Sequence, residues 1–357
     1  MFQHARSISF AALRLMLGAL FVFSGFVKSA DPVGTSVFVE KYLATYSMEW
    51  LMPASLYIAV ALGVVEMVLG AMLVLRLMLR RALFLTTLFL AIFTVVTLLS
   101  ATLLPIGDCG CFGDAVKFTP WQTFLKNVVM LPVAVWLYRG SDKGSIVRRD
   151  AVWLSALFVV AIAINVYAIR HLPLIDFMPY KVGLDLRSAV DAERHAEAES
   201  VRNILVFRDK ATGERREFKD TDTACWMDEN LEYEDAYVRH ESHVEMQFSD
   251  FRIYDAQGQE CSMELLQRNG RYAWLLVRGV DMLYGDRLRA VERLRMAYPD
   301  TYIIVIAAAD RLAVEELLSM TCYEMDAMTM RSMMRAEVGV VVIDDGVIID
   351  KRSFRDI

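Results

Sequence analysis

Five stretches of about twenty residues with almost no charge fall within the first 170 positions, at 8–27, 53–75, 82–104, 120–138 and 151–169. A helix of roughly 20 apolar residues crosses the ~30 Å hydrocarbon layer of a bilayer. Inside that layer only helices and closed barrels satisfy their own backbone polar groups. The first half of the chain is therefore expected to be a bundle of helices embedded in lipid. Charge separates the two halves. Up to Arg170 there are 14 Lys/Arg against 8 Asp/Glu, a net of +6; of the chain's 38 basic and 44 acidic residues, 24 and 36 remain for the rest, a net of −12. A basic apolar half joined to an acidic polar half reads as a membrane domain followed by a water-soluble one. Membrane lipid is thus one partner. Nucleic acid is not, since no basic stripe with interleaved aromatics occurs.

Lys and Arg concentrate in connections that stay in the cytoplasm. Arg76, Arg80 and Arg81 fill the connection between the second and third stretches; Arg139, Lys143, Arg148 and Arg149 fill that between the fourth and fifth. With Arg6 they predict a cytoplasmic N-terminus, outer loops at 28–52 and 105–119, and a region after Arg170 outside the cytoplasm. In a bacterial cell this is the inner membrane with a periplasmic C-terminal domain. The first stretch is expected to be retained, because Arg14 interrupts it and Lys28-Ser29-Ala30 is a poor cleavage site. In the first outer loop Val37, Phe38, Tyr42, Leu43 and Tyr46 fall near helical spacing. That spacing fits an amphipathic helix on the membrane surface or a packed loop helix equally well.

The second outer loop reads Asp108-Cys109-Gly110-Cys111-Phe112-Gly113-Asp114. Two cysteines around one glycine, in a compartment that permits disulfides, suggest thiol–disulfide chemistry with Cys109 and Cys111 as the working pair. Gly110 makes the tight backbone feasible. A static staple is the competing reading. Metal is a third, and two thiolates without a nearby His or further Cys make an incomplete zinc set. Thr119-Pro120-Trp121-Gln122 just downstream has the form of a helix start, with Thr as N-cap, Pro in the first turn and Gln at the third position. Its positive end favours a thiolate nearby. Lys28 and Lys126 are expected to add positive potential, while Lys126-Asn127 also fits a snorkelling or headgroup-binding role.

Arg14 and Glu66 fall inside the first and second stretches, where an isolated charge is costly. Antiparallel neighbours would let them meet as an ion pair. A bundle-locking pair is favoured over a proton or ligand site.

Arg14, Gly18, Ser24-Gly25 and Lys28, Glu66 with Gly70, and Cys109-Gly110-Cys111-Phe112-Gly113 ahead of Lys126-Asn127 resemble the DoxX/MauE family of membrane proteins over roughly the first 140 residues. The resemblance implies a four-helix core linked to thiol homeostasis or to disulfide formation in partner proteins. The fifth stretch and its continuation through 171–180 are similar to the long DoxX-type proteins of Bacteroidetes. The implied organisation is a four-helix membrane domain at 1–140, a fifth span at 141–170, a strand-rich connecting region at 171–260 and an α/β thioredoxin-like domain at 261–357.

The soluble half supports that last expectation through its order of elements. Segments 203–208 and 216–219 flank Ala211-Thr212-Gly213 as a hairpin, and 251–254 is a further strand. After these come a strand at 272–277, a helix at 284–298, a strand at 302–307, helices at 311–320 and 328–335, and a hairpin of 339–343 and 347–350. This order resembles a thioredoxin-like domain. Where that fold carries its active dithiol the chain has Arg278-Gly279-Val280-Asp281-Met282, so the domain is degenerate. Cys225, Cys261 and Cys322 stand apart in sequence and read as buried residues or structural half-bridges. His171, His195, His240 and His243 carry no metal spacing; on a strand His240 and His243 point to opposite faces.

Two functions remain open, and the sequence alone leaves unsettled whether the chain is itself an enzyme. One is electron transfer between an extracytoplasmic thiol or disulfide protein and an acceptor, either quinone or another thiol protein, through Cys109 and Cys111. The other is a non-enzymatic assembly factor whose outer domain binds a partner protein.

Overall fold

The computed structural model describes residues 2–103, 110, 113, 115, 116, 118–142, 148–240, 247, 248, 250–280, 287–299, 301–308 and 310–357. These form two units. The first comprises Met1–Met178 with Arg331–Gly339 and Arg352–Ile357; the second comprises Pro179–Met330 with Val340–Lys351.

In the first unit α1 (Phe2–Ala30) meets no helix breaker until Asp31-Pro32. Pro32 then opens α2 (Pro32–Thr45), where its fixed φ and missing N–H cost nothing, and the Asp31 side chain caps the helix by accepting from Gly34 N at 2.7 Å. A 3₁₀ turn over Glu49–Ala54 leads into α3 (Ser55–Leu75), which ends at Arg76 in the left-handed conformation. Next come α4 (Leu79–Thr102), α5 (Pro120–Gly140) and α6 (Arg148–Arg170). Among the described residues, four helices are long and apolar enough to cross a membrane: Ser7–Ala30, Glu49–Leu75, Leu79–Thr102 and Arg149–Arg170. The sequence predicts five. The remaining one, α5, has 21 residues, and Gln122, Lys126 and Asn127 dilute its apolar character. It still belongs to the bundle, since its Ala134 and Leu137 share one core with Leu17, Leu73, Leu83 and Ala161.

Burial in this bundle is inverted with respect to a soluble protein. Thr86, Thr97, Ser100, Thr123, Asn127 and Asn165 face inward, whereas Phe84, Leu88, Ile92, Val95, Val152 and Val159 stand exposed. An apolar girdle of that kind on a bundle is the surface hydrocarbon demands.

The helices α1 and α3 run antiparallel along a seam of small residues. Methyl groups added at Gly18 and Gly70 would each strike the other glycine's carbonyl, and one at Gly25 would overlap the backbone of Met67. Small residues at such a seam let backbones approach closely, which is what packs helices where lipid removes the hydrophobic driving force.

The second unit begins with α7 (Leu186–Ser200) and a three-stranded antiparallel sheet of order β2-β1-β3, from β1 (Val201–Asp209), β2 (Arg215–Lys219) and β3 (Leu231–His240), with the single turn α8 (Ala224–Met227) between the last two. A six-stranded mixed sheet comes next, of order β4-β7-β6-β5-β8-β9. Its strands are β4 (Ile253–Tyr254), β5 (Arg271–Val277), β6 (Tyr302–Ala307), β7 (Cys322–Met325), β8 (Val338–Asp344) and β9 (Val347–Ser353). Between them lie α9 (Ser262–Leu266), α10 (Arg287–Ala297), α11 (Arg311–Leu318) and α12 (Ala327–Met333); the last three residues of α12, the first two of β8 and the last two of β9 belong to the first unit. The strands β5, β6 and β7 are mutually parallel. Six of the seven residues of β5 are buried, as in a parallel strand covered on both faces. Asp345 and Gly346, both at positive φ, make the tight turn from β8 to β9.

The predicted α/β character holds, and the mixed sheet is consistent with a thioredoxin-like arrangement. One helix departs from the predicted strand-rich connection, and the strands β3 and β7 are not among the predicted elements. The helix α7 occupies 186–200, anchored by fully buried Leu186 and Val190 one turn apart, with Asp185 accepting from Ser188 N at 2.9 Å ahead of its first turn. The strand β3 is charge-rich, and β7 is only four residues long.

Candidate functional site

Ser24 and Lys28 lie one turn apart on the face of α1 that meets α3, and Glu66 of α3 reaches both. The Lys28 ammonium is 2.7 Å from Glu66 Oε2 and donates to Ser24 Oγ at 2.8 Å, while Ser24 Oγ donates to the same carboxylate oxygen at 2.6 Å. Lys28 and Glu66 are 4% and 5% exposed. Desolvating two charges so completely is repaid only when they pair closely and their other hydrogen-bonding sites are met, which Ser24 helps to achieve.

This corrects the expected pairing of Arg14 with Glu66. In the antiparallel register Gly18 faces Gly70, Gly25 faces Gly63, and Arg14 arrives beside Val74. That is eight residues, about 12 Å of helix, beyond Glu66. Arg14 donates instead to the carbonyls of Leu73 and Val74, the latter at 2.9 Å. These are among the last carbonyls of α3, which have no partner within the helix, and a cation suits the negative end of its dipole. Arg14 is thus a helix cap, and Glu66 pairs instead with Lys28.

Cavities open on two sides of the pair. One, a small cleft of about 40 Å³, is lined by Ser24, Glu66, Lys126 and Asn127 together with apolar residues of α1, α4 and α5. Lys126 and Asn127 therefore face the pair. Asn127, 3% exposed, does not snorkel to the membrane surface. The expected start of α5 is present in full: Thr119 Oγ1 accepts from Gln122 N at 3.3 Å, and the Gln122 side chain accepts from Thr119 N at 3.0 Å.

The second cavity, of about 280 Å³, lies between α2, α3 and α4. Phe38, Tyr42, Leu43 and Tyr46 of α2 form one wall, so this helix packs as part of the bundle. Lys28 and Gly110 line the same cavity. Gly110 sits at φ +62° against Phe38, and a Cβ there would lie 2.6 Å from Phe38 Cγ. Only glycine meets both demands without strain. Cys109, Cys111 and Phe112 lie outside the described residues.

The three cysteines of the second unit are free. Burial pushes the Cys322 thiol up to about 12 and the Cys261 thiol up to about 11, with neighbouring carboxylates adding to the effect. Neither supplies a thiolate at neutral pH. His171 pairs with Asp356 in the first unit, and His195 with Asp191 on the surface of α7.

Two sets of contacts have no local signal in the sequence. Ser24 is an ordinary helix residue until the register places it between Lys28 and Glu66. Arg335 Nε donates to Asp31 at 2.9 Å, and Arg331 lies 3.0 Å from Glu40 and bonds Ser36, all within the first unit. Some three hundred residues separate these partners, beyond the reach of any local pattern. They hold the start of α2, three residues beyond Lys28.

A multi-span helical bundle with a buried Lys–Glu pair, followed by an α/β region, defines an integral membrane protein with a polar centre inside its bundle. Within that class, residues 6–140 match the family described as Methylamine utilisation protein MauE. Protein TlpB of Flavobacterium psychrophilum is 29% identical over 133 residues, covering 35% of this chain and 35% of that protein. The match spans about a third of that relative's length. No solved structure matches the chain.

Proposed function

We propose that the chain is a component of extracytoplasmic thiol–disulfide exchange, in which Cys109 and Cys111 cycle between dithiol and disulfide. The observation that carries this reading is the position of Gly110. The residue between the two cysteines is packed on Phe38 in the wall of the cavity that Lys28 also lines. Lys28 lines the same cavity as Gly110, and a cation near a cysteine favours the thiolate that attacks a disulfide. In each exchange a thiolate displaces one sulfur of a disulfide, and the electron pair leaves on the other sulfur. A partner dithiol is oxidised as the loop disulfide is reduced, or the reverse, with two electrons and two protons moving together. The match to the MauE family supports a membrane setting for this chemistry.

The second unit serves as an adaptor for the partner protein. Its free thiols at Cys261 and Cys322 are raised far above neutrality, and Arg278-Gly279-Val280 comes after β5 in place of a dithiol. In the cell the N-terminus lies in the cytoplasm and the Cys109–Cys111 loop and the second unit lie outside the inner membrane, by the distribution of Lys and Arg. In support, Arg80 of α4 donates to the carbonyl of Ser141 at 2.8 Å, which brings two of the basic connections to one end of the bundle.

The test is capture of a mixed disulfide. With Cys111→Ser or Cys109→Ser, an exchange intermediate stalls as a covalent adduct with the partner, seen as a reducible band on non-reducing gels. An adduct with one single variant and none with the double variant is expected. Full cellular function in the double variant would sink the reading in favour of an assembly factor.

A further inference from the structure

Arg331 and Arg335 take no part in thiol chemistry themselves, yet both grip α2. Arg335, 6% exposed, donates from Nε to Asp31 at 2.9 Å and from Nη1 to the carbonyl of Arg331 at 2.9 Å. Asp31 also caps α2 by accepting from Gly34 N, so Arg335 bears on the corner where α2 leaves α1. Room for this pair depends on Gly34, where a methyl group would overlap both the Asp31 carboxylate and the Arg335 guanidinium. Arg331 holds the helix farther along, 3.0 Å from Glu40 and bonded to Ser36. Glu40 in turn accepts from Ser55 Oγ, at the start of α3, at 2.7 Å. A buried charge pair is a weak source of stability, and its best-attested use is to fix register.

At 3.6 residues per turn, Ser36 and Glu40 share one face of α2 while Phe38 and Tyr42 share the opposite one. The grip on the first face therefore sets where the second stands. Phe38 belongs to the wall of the chamber between α2, α3 and α4 and is the seat of Gly110. The Gly110 carbonyl accepts from Gly113 N at 3.1 Å, and Gly113, at φ +52°, has Val27 of α1 beside it. The turn from Gly110 to Gly113 thus rests on α1 and α2, the two helices that meet at Asp31. Its contact with Phe38 is too close for a Cβ, so a shift of α2 must push Gly110 or unseat it. We propose that Arg331 and Arg335 are positioning residues for the thiol exchange: acting through α2, they hold Phe38 where Gly110 seats. The proposal rests on the thiol–disulfide reading for its purpose, though the seat itself needs neither sulfur.

Hydrogen exchange of the full-length protein in nanodiscs, read by mass spectrometry of its peptides, provides the test. Arg335→Met/Asp31→Asn/Arg331→Met/Glu40→Gln removes the charges of both pairs and strands none. Its Asn and Gln keep the acceptors that meet Gly34 and Ser55. Arg331→Met/Glu40→Gln removes the outer pair alone and covers the case in which the quadruple variant does not fold. Exchange in peptides covering 105–119 is expected to rise in both, by about tenfold or more in the quadruple variant, the factor that loss of a charge-assisted hydrogen bond gives in a local opening. Peptides of α4 and α6 are expected to exchange as in the wild type. Reduced Cys109 and Cys111 are expected to react faster with maleimide in the same variants. Arg331→Lys, which keeps a cation opposite Glu40, is expected to retain most of the protection at 105–119 and a slow maleimide reaction. Faster exchange in α2 with 105–119 unmoved would overturn the proposal, and so would no change in either variant. A rise spread over α4 and α6 in the outer-pair variant would overturn it too, because the arginines would then hold the whole bundle. Those results leave cysteine cycling unaffected. Cysteines that never cycle, beside a rise confined to 105–119, would refute the thiol reading and leave the arginine clasp standing.

Discussion

A carboxylate enclosed by apolar helices needs a counter-charge within reach of its own side chain, and Glu66 finds it in Lys28, with Ser24 bridging the two. Removing one partner leaves the other charged and buried, which costs about 3–5 kcal/mol. Lys28→Met alone is therefore expected to lower the midpoint of thermal unfolding strongly in detergent. Lys28→Met/Glu66→Leu should recover most of the loss, because a buried pair replaced by apolar groups is often neutral. Equal loss in single and double variants would contradict the pairing. The charges themselves are legible in the sequence; their partners are not. Arg14 and Glu66 resemble a pair because both lie within apolar stretches, and only the α1–α3 register, set by the glycine seam, separates them. At the same scale, Cys322 and Cys261 are expected to resist iodoacetamide at pH 7 in the folded protein. With thiols raised to about 12 and about 11, both remain protonated there. Rapid labelling of either would contradict their placement.

The elements divide into those whose pattern is strong and local and those decided by packing. The start of α5 is readable because Thr119, Pro120 and Gln122 form a capping box on their own. The buried strands β5 and β6 are readable as short apolar runs. The helix α7 is not, since only Leu186 and Val190 of an Ala/Glu/Arg-rich segment anchor it. Nor is β3, whose charges are matched across the sheet: Glu234 meets Arg208 on the adjacent β1 and Arg215 on β2 beyond it. Those two guanidiniums hold the Glu234 carboxyl down to about 2, against an ordinary 4.5. A depressed carboxyl stabilises the fold above its unfolded value, and the contribution fades as pH falls from about 4.5 toward about 2. Glu234→Gln should therefore reduce the acid sensitivity of the three-stranded sheet in that window, measured by hydrogen exchange of β1 and β2. An unchanged profile would contradict the pairing. In the bundle, Gly25→Leu is expected to force α1 from α3 and cost at least about 1–3 kcal/mol by overpacking, read as a lower unfolding midpoint. A neutral result would mean the seam is looser than its contacts show.

Taken whole, the chain joins a lipid-embedded bundle to an α/β region, and its apolar blocks and charge division mark both in the sequence itself. The chamber is invisible there, because its walls come from three helices and a loop residue whose side chains carry no pattern of their own. The position of Gly110 in that wall, against Phe38 and near Lys28, makes the cysteines on either side of it the centre of the account. The most direct measurement is the redox state of Cys109 and Cys111 in living cells. Acid quenching followed by alkylation with a mass-tagged maleimide traps it, in a chain carrying Cys225→Ala, Cys261→Ala and Cys322→Ala so that only this pair reports. The account predicts a mixture of dithiol and disulfide that shifts toward dithiol when the cells are briefly exposed to a thiol reductant and returns once it is removed. A pair that remains disulfide through the pulse and under every growth condition would contradict it and leave the two cysteines a structural staple.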